Sequence, residues 1–279
     1  MTIASALKRP FAYGMWLTLA VVACGTTERA NAGSGIDVEP PNELDETATA
    51  PEKKSARHWT LGAGVAARPH FQGSDGYQGQ FAPLVDVQLG RFFAKSGEGI
   101  GFNVLETPTF RAGMAVNWMT GYDQDEAPAG LNEVKDALGA RLFASVRFKG
   151  TVATLAGTKA VTESERGLLI NASLAYPIPL NKRLVIVPSL GASWADDDYM
   201  VSYFGVDASE AVTSRFSQYQ PQSGLKDVSF RLSASYLMTD KISVVAFAGV
   251  THLLGDAADS PFVERQTQPL GLIGLTYTF

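Results

Sequence analysis

Val228-Ser229-Phe230-Arg231-Leu232-Ser233-Ala234-Ser235-Tyr236-Leu237-Met238 decides the fold. Phe230, Leu232, Ala234, Tyr236 and Met238 fall on one side of an extended chain. Ser229, Arg231, Ser233 and Ser235 fall on the other. A helix, with a period of 3.6, would mix the two sets, whereas a strand with a period of 2 separates them. The stretch is a strand with an apolar face and a polar, arginine-bearing face turned to different surroundings.

The same alternation recurs through the chain. Leu184, Ile186, Pro188, Leu190, Ala192 and Trp194 alternate with Val185, Val187, Ser189, Gly191 and Ser193. Leu142, Ala144, Val146 and Phe148 alternate with Arg141, Ser145 and Arg147, and Phe110 to Trp118 alternates likewise. A soluble antiparallel sheet alternates too, so two further features decide. The segments run about ten to fourteen residues, longer than most soluble strands and matched to a tilted membrane crossing. Aromatic residues gather at the ends of the apolar faces (Trp59, Trp118, Tyr176, Trp194, Tyr236 and Tyr277 among them), as the girdles of a membrane barrel require. The expectation is an all-β fold, an antiparallel transmembrane β-barrel.

Candidate strands are 58–68, 81–93, 99–106, 108–119, 138–149, 151–160, 167–178, 182–194, 225–238, 241–254 and 267–279, eleven in all. Single-chain bacterial barrels use even numbers, so about 12 strands are expected, with 10 as the alternative. Either Tyr199–Val206 supplies a short strand or two of the segments near 93–108 belong together. Short connections at Pro179–Lys182 and Thr239–Lys241 suit periplasmic turns; 195–224 and 255–266 suit external loops.

Export is written into the first residues. Lys8 and Arg9 precede an apolar run from Phe11 to Ala23, too short for a helix to span ~30 Å of hydrocarbon but suited to a secretory signal. Ala30-Asn31-Ala32 is a cleavage site for a signal peptide of residues 1–32. Val21-Val22-Ala23-Cys24 also reads as a lipobox, with lipidation at Cys24, the single cysteine of the chain. Residues 33–57, rich in Pro, Glu, Thr and Ser, read as a flexible periplasmic leader. Residues 58–279 form one domain. No later apolar run reaches the length of a membrane helix. The lone cysteine excludes a disulfide framework, and a net charge of −5 gives no basic footprint for nucleic acid.

Gly274, Tyr277 and the terminal Phe279 resemble the closing-strand signal that the barrel-assembly machinery reads in outer-membrane proteins. Two loops resemble a particular family. Asp198-Tyr199-Met200-Val201-Ser202-Tyr203-Phe204-Gly205-Val206 and Leu254-Gly255-Asp256-Ala257-Ala258-Asp259-Ser260-Pro261-Phe262-Val263 are similar to the signatures of the MipA/OmpV family. The resemblance covers 58–279. It implies an integral barrel in the outer membrane of a Gram-negative bacterium, in contact with outer-membrane lipid. It also implies no cofactor and no known catalysis. One branch of the family is described as a scaffold joining a lytic transglycosylase, a murein hydrolase, to a murein synthase. Other members are described as porin-like proteins or adhesins.

Catalytic chemistry has few candidates. The chain has three histidines, and only His252 lies near potential partners, Asp256, Asp259 and Ser260. Asp259-Ser260-Pro261 reads equally as a turn that satisfies loop backbone. Asp196-Asp197-Asp198 lacks the glycine and spaced acids of a calcium loop and reads as a solvated charge run. Neither a catalytic nor a metal site is expected. Tyr199, Tyr203, Phe204, Phe216 and Tyr219 are expected to fold their loop onto the rim or into the mouth.

The polar faces carry Arg68, Arg111, Arg141, Arg147, Arg183 and Arg231, with Asp86 as the clearest acidic counterpart. Charges inside a narrow barrel must pair or meet water, because an unpaired buried ion costs several kcal/mol. Two readings follow. In one, acids of the external loops (Asp196, Asp197, Asp198, Asp207, Glu210, Asp256 and Asp259) fold inward against the arginines and plug a scaffold barrel. In the other, the arginines line a small channel that favours anions, or the loops act as an adhesin.

Overall fold

The computed structural model describes residues 57–279. The signal segment 1–32 with Cys24, and the leader 33–57 apart from Arg57, lie outside the described residues. Twelve antiparallel staves form one closed sheet: His58–Pro69 (β1), Tyr77–Leu89 (β2), Phe92–Lys95 (β3), Gly99–Glu106 (β4), Phe110–Met119 (β5), Ala137–Phe148 (β6), Thr151–Ala160 (β7), Leu168–Ala175 (β8), Leu184–Ala195 (β9), Gly224–Leu237 (β10), Ile242–Leu253 (β11) and Thr267–Thr278 (β12). The pair Ile178–Pro179 continues β8 along β9 after the Tyr176–Pro177 break. Each stave pairs with its sequence neighbour, and β12 returns to β1.

The alternation of the sequence is the alternation of the wall. Phe230, Leu232, Tyr236 and Met238 lie exposed on the outside, while Ser193, Asp227 and Arg141 are buried inside. Where neighbouring strands pair, their N–H and C=O groups bond along the sheet, which is what lets a strand cross a medium without water.

Two expectations about the strand set are corrected. Tyr199–Val206 is not a strand: Asp197–Phe204 is a helix (α1), because the Asp196 side chain accepts a hydrogen bond from Tyr199 N at 3.0 Å and caps it. The twelfth strand comes instead from splitting 81–93. Gly90, with φ of 64°, turns the chain, and Phe92–Lys95 comes back as the short β3. The long loops add two further short helices, Ala208–Thr213 (α2) and Gly255–Ala258 (α3).

Short turns gather at one end and long loops at the other. The β6–β7 turn is two residues, Lys149 and Gly150, both at positive φ, as a twist-matched hairpin requires.

The seam between β12 and β1 is drawn tight by small residues. Gly64 pairs with Gly274. A Cβ at Gly62 would lie 2.1 Å from Leu275 O, and one at Gly64 would lie 2.5 Å from Ile273 O. The wall on the far side of β1 is built differently. β2 pairs with β1 from Tyr77 to Gln88, but with β3 only from Asp86 to Leu89. β4 meets β5 from Val116 downward. Above the β3–β4 hairpin, no strand pairing among the described residues joins the upper half of β2 to the top of β5.

Candidate functional site

The loop end of the barrel is closed by an apolar plug. α1 buries Tyr199, Met200, Tyr203 and Phe204, each no more than 3 % exposed. They pack with Phe71, Met119, Tyr122, Leu131, Leu169, Leu253 and Phe262, which come from six other segments of the rim and loops. The spacing of the α1 set places these rings on one helical face. Tyr199 and Tyr203 stack with centroids 4.3 Å apart, and Phe71 meets Phe262 edge-on at 5.8 Å.

The two loop signatures meet here. Ser260 Oγ donates to Phe204 O at 2.7 Å, and Tyr219 OH donates to Asp256 O at 2.9 Å. Val206 bridges Tyr219 by backbone, and Gly205 closes α1 through its N–H to Val201 O. Gly255, at φ of 50°, opens α3, and the segment through Asp259 and Pro261 carries Phe262 into the core. Residues of both signatures therefore build the plug; Ser260 is spent on a backbone carbonyl, and His252 Nδ1 bonds Thr267 Oγ1 at 2.7 Å.

The plug is apolar where charge was expected. The loop acids are engaged at the rim. Asp196 holds Leu168 N, Asp198 meets Lys159, and Asp207 caps α2. Asp197 accepts from Ser223 N, Glu210 from Asn132, and Asp256 from Gln222 N. Burial of rings, at roughly 1.5–3 kcal/mol for each large apolar side chain, closes the mouth in place of acid–arginine pairing.

Beneath the plug lies a cavity of about 210 Å³. Of the expected lumen charges, Arg68, Arg141 and Arg231 line it. Arg68 bonds Gln80 Oε1 at 2.7 Å and reaches Glu126 of the 120–136 loop at 3.5 Å. Arg231 lies in the field of Asp227. Lower down, Arg111 pairs with Glu98 at 3.1 Å and lies 5.1 Å over the Phe143 ring. Asp86 is buried between His58 at 3.1 Å and Lys95 at 3.6 Å. Arg147 and Arg183 stand exposed at the turn end; Arg183 belongs to a turn and not to the lumen wall.

Sequence reasoning missed the most buried ion pair. Lys226 and Asp227 are each 5 % exposed, although consecutive strand residues point to opposite faces. A bulge reconciles the two facts: Leu225 faces Trp194 and Asp227 faces Ser193, so Lys226 is extra and both side chains turn inward. Lys226 Nζ bonds Asp227 and Gln72 Oε1; Asp227 accepts from Ser193, which accepts from Asn171. Gln72 Nε2 donates to Tyr199 OH at 3.2 Å, tying this network to the plug. Burial pushes the Tyr199 phenol above its ordinary range, with Lys226 opposing, and burial likewise raises Tyr122. Burial lowers the Arg166 guanidinium, which lies 4.4 Å over the Tyr203 ring and donates to Thr120 O.

The closing strand places Gly274 inside the seam and Tyr277 and Phe279 outside, with their rings 4.9 Å apart. Phe279 N donates to Trp59 O at 3.0 Å.

Comparison with known proteins places this architecture. The family model described as MltA-interacting protein MipA matches residues 61–279. The outer membrane protein Omp26La of Vibrio anguillarum is 27% identical over 209 residues, 73% of this chain and 75% of that protein. The putative outer membrane protein YiaT of Escherichia coli K12 is 22% identical over 232 residues, 81% and 92% of the two chains. OmpV of Vibrio cholerae is 27% identical over 192 residues, 68% and 69%. Among solved structures, a KdgM porin aligns with a TM-score of 0.44 at 8% identity, covering 79% of this chain and 99% of that one.

Proposed function

Starting from a chain that belongs to the MipA family of integral outer-membrane proteins, we propose that it is a non-enzymatic, non-conducting scaffold barrel whose periplasmic end gathers murein-processing enzymes. The observation that carries this is the plug. Tyr199, Tyr203, Phe204 and Phe262 pack as one buried cluster across the loop end; on this proposal they stop solutes there, and the working surfaces are the two ends.

The turn end supports the reading by its charge. Arg91, Arg147, Lys149, Lys182, Arg183 and Lys241 are exposed there, against Glu106 and Asp240. A basic ring of this kind steers and orients an acidic partner surface. The family description names an interaction with MltA; on this proposal a lytic transglycosylase and a murein synthase dock on that ring. Gly274, Tyr277 and Phe279 serve the barrel-assembly machinery on the way to the membrane.

A channel is the second reading, carried by the arginines around the cavity. The two separate cleanly. Bilayers containing the purified chain are expected to show no steady current, and murein enzymes from a detergent extract are expected to be retained. Lys182→Glu with Arg183→Glu should weaken that retention and make it less dependent on salt. Steady anion-selective current with no retained murein enzyme would replace the scaffold by the channel.

A further inference from the structure

The slot between β2 and β5 has a definite frame. Its sill is the β3–β4 turn, where Ser96 N donates to Val85 O and Ser96 Oγ accepts from Val85 N and donates to Pro83 O. Its lintel is Glu126, which accepts from Gln78 Nε2 at 2.6 Å and meets Arg68. Because Val85 turns its backbone groups towards the slot, so do Pro83, Phe81 and Gly79, residues of the same parity. Pro83 contributes no N–H to that edge, the use to which proline is put on edge strands. Phe81 and Gly79 still present their peptide groups there. An open sheet edge facing lipid is not tolerated in hydrocarbon; it occurs where it borders a polar cavity.

Such a cavity lies behind it. The lining of the 210 Å³ space under the plug reaches Gly97 in the sill and Asn117 and Trp118 in β5. Arg141, on β6, and Asn117 face into it at 6 % and 8 % exposure. Arg141 Nε and Asn117 Oδ1 have no hydrogen-bond partner, a costly state for buried groups that a ligand would relieve. The amide of Asn117 can turn to present its NH2 instead. Glu98, the nearby acid, is engaged by Arg111 at 3.1 Å. Outside the slot, Phe81 is 66 % exposed, Ile100 73 % and Trp118 43 %, an apolar doorstep at the lipid face.

We infer that the slot is a side entrance from the membrane and that it binds an anionic single-chain amphiphile, in its simplest form a long-chain fatty acid. The carboxylate sits at Arg141 and Asn117, and the acyl tail lies in the slot between Phe81 and Trp118. The cavity is smaller than the roughly 300–1,000 Å³ of pockets that enclose a whole ligand, so it holds the head and first carbons while the tail remains in the lipid. The inference goes beyond the scaffold reading and stands or falls independently of any murein partner.

The test uses the full chain in lipid nanodiscs with radiolabelled palmitate, and palmitate carrying a diazirine in the first half of its chain, next to the segment that lies in the slot. Saturable binding is expected, about tenfold weaker in Arg141→Gln and recovered in Arg141→Lys, as loss and return of a charge-assisted bond dictate. Hexadecanol and inorganic phosphate, each with half the required chemistry, should not compete. Photolabel should fall on Phe81, Ile100 or Trp118. Absence of saturable binding, full affinity in a folded Arg141→Gln, or label on Tyr203 and Phe262 of the plug would each overturn the proposal. The labelling is read on the unaltered chain, so it decides even where Arg141→Gln fails to fold.

Discussion

The β12–β1 seam and the β2–β5 slot lie in the same wall and solve opposite problems. At the seam Gly62, Gly64 and Gly274 lack the Cβ atoms that would press on the facing backbone, and eight register pairs run from Thr60–Thr278 to Ala67–Gly271. At the slot a hairpin of only four residues in β3 stops short, Pro83 blunts the edge and Ser96 ties off the last peptide groups. Closure by hydrogen bonds costs little where side chains are absent, and a deliberate opening needs each loose backbone group to find another partner. Small residues mark the first and a short hairpin with an edge proline marks the second.

The sharpest way to break the comparison is to spoil the seam. Gly64→Val places a branched side chain against Ile273 O and Gly274 Cα, backbone atoms that cannot move aside. The barrel is expected not to close: membrane fractions should lose the folded, heat-modifiable species on gels. Gly79→Val, whose Cβ meets nothing within 4 Å, should leave the folded species at its normal level. Equal loss in both would remove the distinction between seam and slot.

An intermediate effect is expected at the plug, which braces both walls from above. Phe204→Ala empties a site with no exposed surface in the middle of the cluster. Deleting a buried phenylalanine costs ~3–5 kcal/mol. The denaturation midpoint should fall accordingly while the strand content by circular dichroism stays unchanged. Intermittent current should appear in bilayers where the unaltered chain is silent. A variant that is as stable and as silent as the parent would show that the rings of α1 are not what seals the mouth.

How much of this was legible in the sequence follows from the range of each signal. The outward faces of β5, β6, β9 and β10 could be read directly, because alternation is local and Phe230, Leu232 and Tyr236 need no partner to declare their side. The number of staves could be bounded by parity, yet β3 was hidden, since Phe92 and Phe93 continue an apolar texture across the Gly90-Arg91 turn. α1 was hidden by its composition: Tyr199, Val201 and Tyr203 alternate like a strand, and the capping role of Asp196 outweighs that pattern only in three dimensions. The i, i+4 relation of Tyr199 to Tyr203 and of Met200 to Phe204 was the available helical clue. The inward turn of Lys226 and Asp227 depends on a bulge against β9, a long-range fact with no local mark. The expectation of an acidic plug failed because charge was counted without asking which loop backbone groups needed those carboxylates.

The smallest effect tests the slot itself. Ser96 Oγ accepts from Val85 N at 2.9 Å and donates to Pro83 O at 2.8 Å, so one hydroxyl terminates the edge of β2. Ser96→Ala removes both bonds but leaves the backbone bond from Ser96 N to Val85 O. The site is half-buried, so water replaces part of what is lost, and the net cost is about 1 kcal/mol, the scale of one intramolecular hydrogen bond. The denaturation midpoint should therefore fall only slightly, far less than for Phe204→Ala. Local opening should respond more than global stability: amide exchange at Val85, whose N–H Ser96 Oγ holds, should quicken while the seam residues Leu61 to Val65 keep their protection. Faster exchange confined to β2 would show that the slot is a locally held opening in a wall that is otherwise shut. Exchange spreading equally to β1 and β12 would show that the two regions share one cooperative unit and that the sill has no separate role.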